Sequence, residues 1–188
     1  EAVLPSVLYR RHSCNPILGK SKTGGQRQRW SFTLIRGQHF GTGMHETTQL
    51  CIRALKKYVT SETEILDVGC GSGILGMLAL KFGAKHSLGT DLDPCAIDAT
   101  HENMEVNGIR KDQYEVMIGN IIDDKEIQDK AGYECYDVAV ANILADVIIL
   151  LQKEIPVHIK KGGIFITSGI INMKEQAVRE AFAANDFL

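Results

Sequence analysis

The segment Asp67-Val68-Gly69-Cys70-Gly71-Ser72-Gly73 decides the fold of this chain. It follows the apolar pair Ile65-Leu66 and precedes the apolar run 74–80, so it predicts a strand, a glycine turn and a helix. Glycines at alternate positions permit a tight turn and leave main-chain amides open to a ligand. The first turn of the following helix adds unpaired N–H groups and a partial positive charge. The segment therefore predicts a binding site for a nucleotide-like ligand.

Apolar periodicity on either side of this segment predicts helices that alternate with strands. Strands are expected at 65–68, 87–90, 114–118, 136–141 and 163–167, and helices at 47–58, 74–82, 93–107, 144–155 and 172–184, with a break at Pro156. Alternation of this kind calls for an α/β fold, a doubly wound and mostly parallel sheet with helices on both faces. Ligands of such sheets bind beyond the carboxyl ends of the strands. Polar or glycine residues stand at four predicted strand ends: the loop from Asp67, then Asp91, Gly119-Asn120 and Asn142.

Length and composition fit one globular domain, with 188 residues of which 44% are hydrophobic. No apolar run reaches the roughly 18 residues that a membrane span needs, so no membrane partner is expected. The five cysteines are scattered, which favours free thiols in a reducing cytoplasm over disulfides or a zinc site. Cys70 is interpreted as a small packing residue, because no histidine or acid is placed to activate its thiol.

Charge is unevenly distributed along the chain. Residues 1–30 hold six lysines and arginines against Glu1, a formal charge of +5, whereas the whole chain carries −2. We interpret residues 1–37 as a basic arm or linker remnant, and favour a solvated, poorly ordered tail over a segment that contacts a nucleic-acid-bearing partner. The remainder, residues 38–188, is predicted to form the catalytic domain. Its acidic balance argues against nucleic acid as a direct substrate.

Two interpretations of the glycine segment compete. Residues 71–76 fit the dinucleotide fingerprint G-x-G-x-x-G, and Asp91 lies twenty residues beyond Gly71, where a ribose-binding acid is expected. The same segment resembles the D-x-G-x-G-x-G loop of S-adenosylmethionine (SAM)-dependent methyltransferases. Electrostatics favours the second interpretation, because a carboxylate at Asp67 would repel a pyrophosphate and attract the sulfonium and ammonium groups of SAM. SAM is therefore the predicted cofactor, with S-adenosylhomocysteine as the product.

Two longer segments narrow the resemblance. They are His39-Phe40-Gly41-Thr42-Gly43-Met44-His45-Glu46-Thr47-Thr48 and Ala141-Asn142-Ile143-Leu144-Ala145-Asp146-Val147. Together with Asp91-Leu92-Asp93-Pro94, Glu102-Asn103 and Asn107-Gly108, they resemble the bacterial PrmA family, the methyltransferase of ribosomal large-subunit protein eleven. The resemblance covers about residues 38–185. It implies the class I SAM-dependent methyltransferase fold and a cytoplasmic enzyme that methylates lysine and α-amino nitrogens of that ribosomal protein.

The resemblance also implies individual roles. Thr48 contacts SAM, Gly69 is the first glycine of the cofactor loop, and Asp91 accepts hydrogen bonds from the ribose hydroxyls. Asn142 lies beside the methyl-bearing end of the cofactor, and we predict that it also orients the acceptor amine. The remaining predicted cofactor residues are Thr47, Asp67, Gly71 and Asn120. The Thr47 and Thr48 hydroxyls fit equally well as helix caps or as donors to the SAM carboxylate. Asp93 is interpreted as a helix cap.

The resemblance is incomplete at both ends of the chain. Residues 1–37 are too short for the amino-terminal substrate-recognition domain of the family, and the family continues past the last helix into a β-hairpin. We therefore expect a fragment with an unpaired sheet edge. Three alternatives stay open: a SAM-dependent enzyme with another amine or amide acceptor, a non-catalytic SAM-binding domain, and a less favoured NAD-dependent oxidoreductase. A flat acceptor is disfavoured, since Asn142 is not followed by the prolines and aromatic ring of N-P-P-[YF] enzymes.

Overall fold

A computed structural model describes residues 7–10, 46–170 and 172–185 of the chain. Its strands are β1 (Val7–Arg10), β2 (Glu64–Val68), β3 (His86–Asp91), β4 (Tyr114–Ile118), β5 (Tyr136–Asn142) and β6 (Ile159–Ser168). Its helices are α1 (Glu46–Tyr58), α2 (Ile74–Lys81), α3 (Cys95–Val106), α4 (Lys125–Ala131), α5 (Ala145–His158) and α6 (Glu175–Ala183), with a short 3-10 helix at Asn172–Lys174. No helix in these ranges combines the length and the apolar character needed to cross a bilayer.

The strands form one sheet in the order β1-β6-β5-β2-β3-β4. Strands β2 to β6 are parallel and β1 is antiparallel to β6, which confirms the predicted doubly wound, mostly parallel sheet. The chain runs outward from β2 to β4 and then returns to β5 on the other side of β2, so the strand order reverses between β2 and β5. Val68 pairs with both Thr90 and Ala141, and the next residues of all three strands therefore emerge at one edge of the sheet.

Apolar side chains cover both faces of the central strands. Ile65 and Leu66 are both fully buried, and because neighbouring side chains point to opposite faces, β2 packs against helices on each side. Leu66 belongs to a cluster with α5 and α6, which includes Ile148 and Phe182. Ile65 belongs to a second cluster with α1 and α2, which includes Met77. This burial fixes the register of the central strands. It therefore also fixes where their carboxyl ends lie relative to one another.

Two helices differ from the sequence prediction. Helix α4 was not predicted; it is short, and Asp124 caps it by accepting hydrogen bonds from the amides of Glu126 and Ile127. The predicted break at Pro156 is wrong, because α5 continues to His158. Proline has a fixed φ that a helix tolerates, and only the last part of α5 follows it, so the cost is restricted to the lost N–H and local crowding.

Strand β1 was also not predicted. It pairs with β6 from Val7 opposite Thr167 to Arg10 opposite Ile164, within the segment interpreted as a basic arm. The expectation of an unpaired edge is therefore wrong along this part of β6, because a strand from the start of the chain occupies it. The division of the chain at residues 37 and 38 stays a prediction.

Candidate functional site

The glycine loop, residues 69–73, joins β2 to α2 at the edge where the strands end. Gly69, Gly71 and Gly73 all have positive φ values of 69°, 52° and 73°, a conformation that residues with a side chain rarely adopt. The amide of Gly69 donates to the Thr90 carbonyl at 2.8 Å, which ties the loop to the end of β3. The alternate glycines predicted from the sequence thus correspond to three left-handed residues.

Ile143 brings the end of β5 against the same loop. A Cβ atom added to Gly69 would lie 2.5 Å from the Cγ2 atom of Ile143, so only glycine fits there. Asn142, the last residue of β5, is therefore held next to the loop through its neighbour in sequence. The switch point of the sheet lies between these two strand ends, where ligands of open α/β sheets bind.

Asp91 joins the glycine loop to the end of β3. Its Oδ2 atom accepts a hydrogen bond from the Gly71 amide at 2.8 Å, and its Oδ1 atom accepts one from the Asp93 amide at 2.9 Å. Each carboxylate oxygen can accept a further hydrogen bond, and the side chain is partly exposed. The Asp93 side chain accepts from the Cys95 amide at 2.9 Å, which confirms its capping role at α3. The carboxylate of Asp91 is thus fixed in place with acceptor capacity to spare.

Asn142 and Thr48 meet, although they lie 94 residues apart in sequence. The Asn142 Nδ2 atom donates to the Thr48 hydroxyl at 3.0 Å, and Thr48 is 1% exposed in the first turn of α1. Since the amide donor is engaged, the Asn142 carbonyl oxygen is the group available to accept a further hydrogen bond. A Cβ atom at Gly169 would lie 3.5 Å from that oxygen and 2.5 Å from the Ile143 carbonyl, so glycine keeps the space beside it open.

The remaining predicted residues lie at the same edge with weaker connections. Thr47 precedes Thr48 in α1, while the first seven residues of the segment 39–48 lie outside the described ranges. Asn120 follows β4, and its Oδ1 atom accepts from the Ile122 amide at 3.1 Å. That bond forms a local turn and leaves the amide group of Asn120 as its outward donor. The cofactor roles of Thr47 and Asn120 stay predictions.

Asp67 is placed differently from the sequence expectation. Its side chain is 1% exposed beneath the loop, where Oδ2 accepts from the Gly76 amide at 2.9 Å and from the Tyr114 hydroxyl at 3.1 Å. Burial raises the pKa of Asp67 to about 7, against the two hydrogen bonds that lower it. The carboxylate thus lies beneath the loop and does not face the ligand space. The predicted direct attraction of a cation by Asp67 is corrected to a role in holding the loop.

Two side chains of α3 that no sequence pattern predicted hold the loop from the other side. The Thr100 hydroxyl donates to the Gly71 carbonyl and the Asn103 amide donates to the Ser72 carbonyl, each at 3.1 Å. With these carbonyls bonded to α3, and the amides of Gly69, Cys70, Gly71 and Gly73 bonded to protein acceptors, the shape of the loop is fixed from both sides. Asn103 stood in a segment that carried the family resemblance, but nothing local assigned it this contact.

Cys70 packs inside the loop as the sequence predicted. It is 6% exposed, and burial raises the pKa of its thiol, followed in effect by the charges of Asp67 and Asp91. A neutral, inaccessible thiol is a poor nucleophile. Cys51, Cys70, Cys95 and Cys135 are all free cysteines.

The sheet order and the loop at its switch point define the class of protein: this is the class I SAM-dependent methyltransferase fold. A methyltransferase solved with S-adenosylhomocysteine has the same fold, with a TM-score of 0.63 at 12% identity over 74% of this chain and 40% of that one. At this low identity the likeness concerns the fold alone.

Closer relatives show the family. The family model described as ribosomal protein L11 methyltransferase (PrmA) matches residues 19–188. The ribosomal protein L11 methyltransferase of Lachnospira eligens is 60% identical over 149 residues, which are 79% of this chain and 47% of the relative. The crystal structure of ribosomal protein L11 methylase from Lactobacillus delbrueckii subsp. bulgaricus matches with a TM-score of 0.68 and 32% identity, covering 78% of this chain and 70% of that one.

The chain belongs to the ribosomal protein L11 methyltransferase family, as the resemblance predicted. The dinucleotide interpretation of the glycine loop is set aside on this ground. The chain spans about half the length of the curated relatives it matches.

Proposed function

We propose that this chain carries the catalytic domain of a SAM-dependent protein methyltransferase, which transfers methyl groups to lysine side chains and an α-amino group of ribosomal protein L11. Family membership supports the substrate. The observation that carries the chemistry is the Asn142–Thr48 hydrogen bond at the switch point, because it leaves a fixed carbonyl oxygen beside the glycine loop. We place the reaction in the cytoplasm, which suits the four free cysteines of the described residues.

The residues at the strand ends fit SAM. The four neighbouring strands β5, β2, β3 and β4 place their ends across three interstrand spacings, about 14 Å in all, so one extended ligand can touch every one of them. Asp91 offers carboxylate acceptors for a pair of ribose hydroxyls. The glycines of the loop let a ligand approach the backbone closely, and Thr48 offers a hydroxyl at a helix start. SAM, when bound, supplies an electrophilic methyl group on a sulfonium cation.

The chain has two tasks in methyl transfer. The first is to favour the unprotonated form of the acceptor amine, and the second is to hold that amine in place. An amine must lose its proton before its nitrogen lone pair can attack, and lysine has a reference pKa near 10.4. A desolvated site lowers the pKa of an amine, and a carbonyl oxygen can hold the amine through its remaining N–H. The Asn142 carbonyl suits this second task because its own amide donor is already bonded to Thr48. Positioning of this kind supplies much of the rate in a displacement that needs no metal or nucleophilic residue.

The strand end also opens toward solvent, as a protein acceptor requires. Leu144, two residues beyond Asn142, has 74% of its surface exposed. An acceptor protein can therefore reach the space beside Asn142 without unfolding the sheet.

Incubation of the chain with SAM and purified ribosomal protein L11, followed by mass spectrometry of the intact acceptor and its peptides, tests the proposal. We expect the mass of L11 to increase by one or more methyl groups, located on lysine and α-amino nitrogens. The Asp91→Ala variant is expected to lose this activity. Methylation of a different ribosomal protein, with L11 unchanged, would favour another acceptor. Calorimetric binding of SAM without any methyl transfer would favour a non-catalytic SAM-binding domain.

A further inference from the structure

Tyr114 is a buried side chain that the reaction does not touch. It begins β4 and is 1% exposed, and its hydroxyl donates to the Oδ2 atom of Asp67 at 3.1 Å. The same oxygen accepts from the amide of Gly76, in the first turn of α2, at 2.9 Å. One carboxylate oxygen thus joins the strand before the glycine loop, the helix after it, and a tyrosine two strands away.

Three glycines make room for the Tyr114 side chain. A Cβ atom would lie 3.0 Å from the ring at Gly73, 2.7 Å from the ring at Gly76, and 3.0 Å from the hydroxyl oxygen at Gly89. A ring enclosed this closely has one position, so the direction of its O–H group is fixed. Packing against the Tyr114 ring therefore requires glycine at position 76. In the sequence, the same glycine matched the last position of a dinucleotide fingerprint.

The Asp67 carboxylate depends on these contacts for its orientation. Among the described residues, its Oδ1 atom has no hydrogen-bond partner, so both of its bonds are made by Oδ2. Without the Tyr114 hydroxyl, a single bond from the Gly76 amide would hold the side chain, and rotation about the last torsion would become easier. The position of the first turn of α2 relative to β2 would then be less firmly fixed.

We propose that Tyr114 is a positioning residue for the cofactor loop, acting through Asp67 on the amide of Gly76 and the turn that precedes it. The inference rests on the proposed function in taking the loop as the SAM site. Tyr114 contacts neither cofactor nor acceptor. It fixes the path of residues 69–76, so that the loop is already shaped before the cofactor arrives.

The Tyr114→Phe variant tests the proposal, because it removes the hydroxyl and keeps the ring. Tyr136→Phe is the matched control: its hydroxyl is also buried and donates to the Ala131 carbonyl at 2.6 Å, at the start of β5, away from the loop. Hydrogen exchange followed by NMR in the cofactor-free protein reports the amides of Gly76 and of the loop. Calorimetry with S-adenosylhomocysteine reports the affinity of the site.

We expect Tyr114→Phe to speed exchange of the Gly76 amide about fivefold to tenfold and to weaken S-adenosylhomocysteine binding by a similar factor, the size expected for one typical intramolecular hydrogen bond. Tyr136→Phe should change neither, although it also lowers the melting temperature. Tyr114→Phe should in addition raise the pKa of Asp67, since the hydroxyl bond favours the ionised form. The other ionisable group that acts on this carboxylate is Asp91, whose charge raises the pKa of Asp67, while Asp67 in turn raises the pKa of the buried thiols of Cys70 and Cys51.

Unchanged loop exchange in Tyr114→Phe, or an equal change in Tyr136→Phe, would overturn the proposal. If the unsubstituted chain binds no S-adenosylhomocysteine, the proposed function fails while the exchange measurement still decides the role of Tyr114. If Tyr114→Phe does not fold, Gly89→Ala in a Cys70→Ala background replaces it and is compared with Cys70→Ala alone, because the added methyl group would lie 3.0 Å from the Tyr114 hydroxyl oxygen but also 2.9 Å from the Cys70 Sγ atom. The same faster exchange at Gly76 is then expected.

Discussion

Asn142 shows how a side chain that is ordinary in sequence acquires a specific chemical task. An asparagine after a strand is usually a turn residue, but here its amide donor is bonded to Thr48 and its carbonyl is left at the switch point. If the carbonyl oxygen holds the acceptor amine as proposed, asparagine suits the position because its N–H group bonds Thr48 and its carbonyl oxygen stays available. A residue with a single polar atom could not do both.

Asn142→Ala is expected to lower kcat by about tenfold to a hundredfold at saturating SAM, because the acceptor amine loses its positioning contact. Steady-state methylation of ribosomal protein L11 measures the change. Thr48→Val should reproduce part of the loss, since it frees the Asn142 amide to rotate. Normal turnover of Asn142→Ala under these conditions would remove Asn142 from the mechanism.

Asp67 should make stability depend on pH. Burial raises its pKa from 3.8 to about 7 in the folded state, so between about pH 4 and 7 the folded chain keeps a proton that the unfolded chain releases. The contribution of this group to the free energy of unfolding is therefore largest below pH 4, falls as pH rises to 7, and is constant above it.

Asp67→Asn cannot titrate and still offers Gly76 an acceptor oxygen. Its stability relative to the unsubstituted chain should therefore rise between pH 4 and 7. Urea unfolding of both proteins at a series of pH values measures the difference. Parallel stability curves across this interval would show that Asp67 has an ordinary pKa.

At the scale of elements, α3 acts as a clamp on the glycine loop. Two of its side chains, one turn apart, bond consecutive loop carbonyls. The loop has positive φ values at alternate residues and makes few backbone hydrogen bonds of its own, so its shape depends on neighbours. The helix therefore links packing of the sheet to the shape of the glycine loop.

Asn103→Ala would leave the Ser72 carbonyl without this donor, and Asn103 is 2% exposed. We expect a loss of about 1–3 kcal/mol in the free energy of unfolding together with weaker SAM binding. Asn185→Ala is the control, because Asn185 bonds Gln152 near the end of α6, away from the loop. Equal SAM affinity of the two variants, measured by calorimetry, would contradict the clamp.

At the scale of the whole molecule, a strand from the start of the chain pairs with β6 at one side of the sheet. Strand β1 covers the backbone groups of β6 from Ile164 to Thr167. An exposed strand edge is a template for pairing with another chain. The contact between β1 and β6 should therefore stabilise the sheet and prevent β6 from pairing with another chain.

The double variant Leu8→Pro with Tyr9→Pro removes two adjacent backbone N–H groups from β1 and is expected to release β6. We expect a lower melting temperature and concentration-dependent association, measured by analytical ultracentrifugation. The control Leu8→Thr with Tyr9→Thr keeps every backbone donor and favours a strand. Association of both variants to the same degree would show that the edge pairing is not responsible.

The sequence by itself determined the strand–turn–helix predicted at residues 65–82, the parallel sheet and the strand ends that form the candidate site. These features follow from local rules: glycine alone accepts positive φ readily, and apolar periodicity reports which face of an element is buried. It also placed Asp93 at its helix cap and Cys70 in the packing, because both depend on neighbours in the chain. The predicted break at Pro156 was wrong because tertiary packing outweighs one missing hydrogen bond.

Only the tertiary structure decided which distant groups meet. Tyr114 reaches Asp67 across 47 residues, Asn142 reaches Thr48 across 94, and β1 pairs with β6 from the other end of the chain. The same structure turned Asp67 inward, against the electrostatic expectation. The direction of a side chain and the choice of a remote partner depend on how whole elements pack, and no local pattern in the chain encodes that packing.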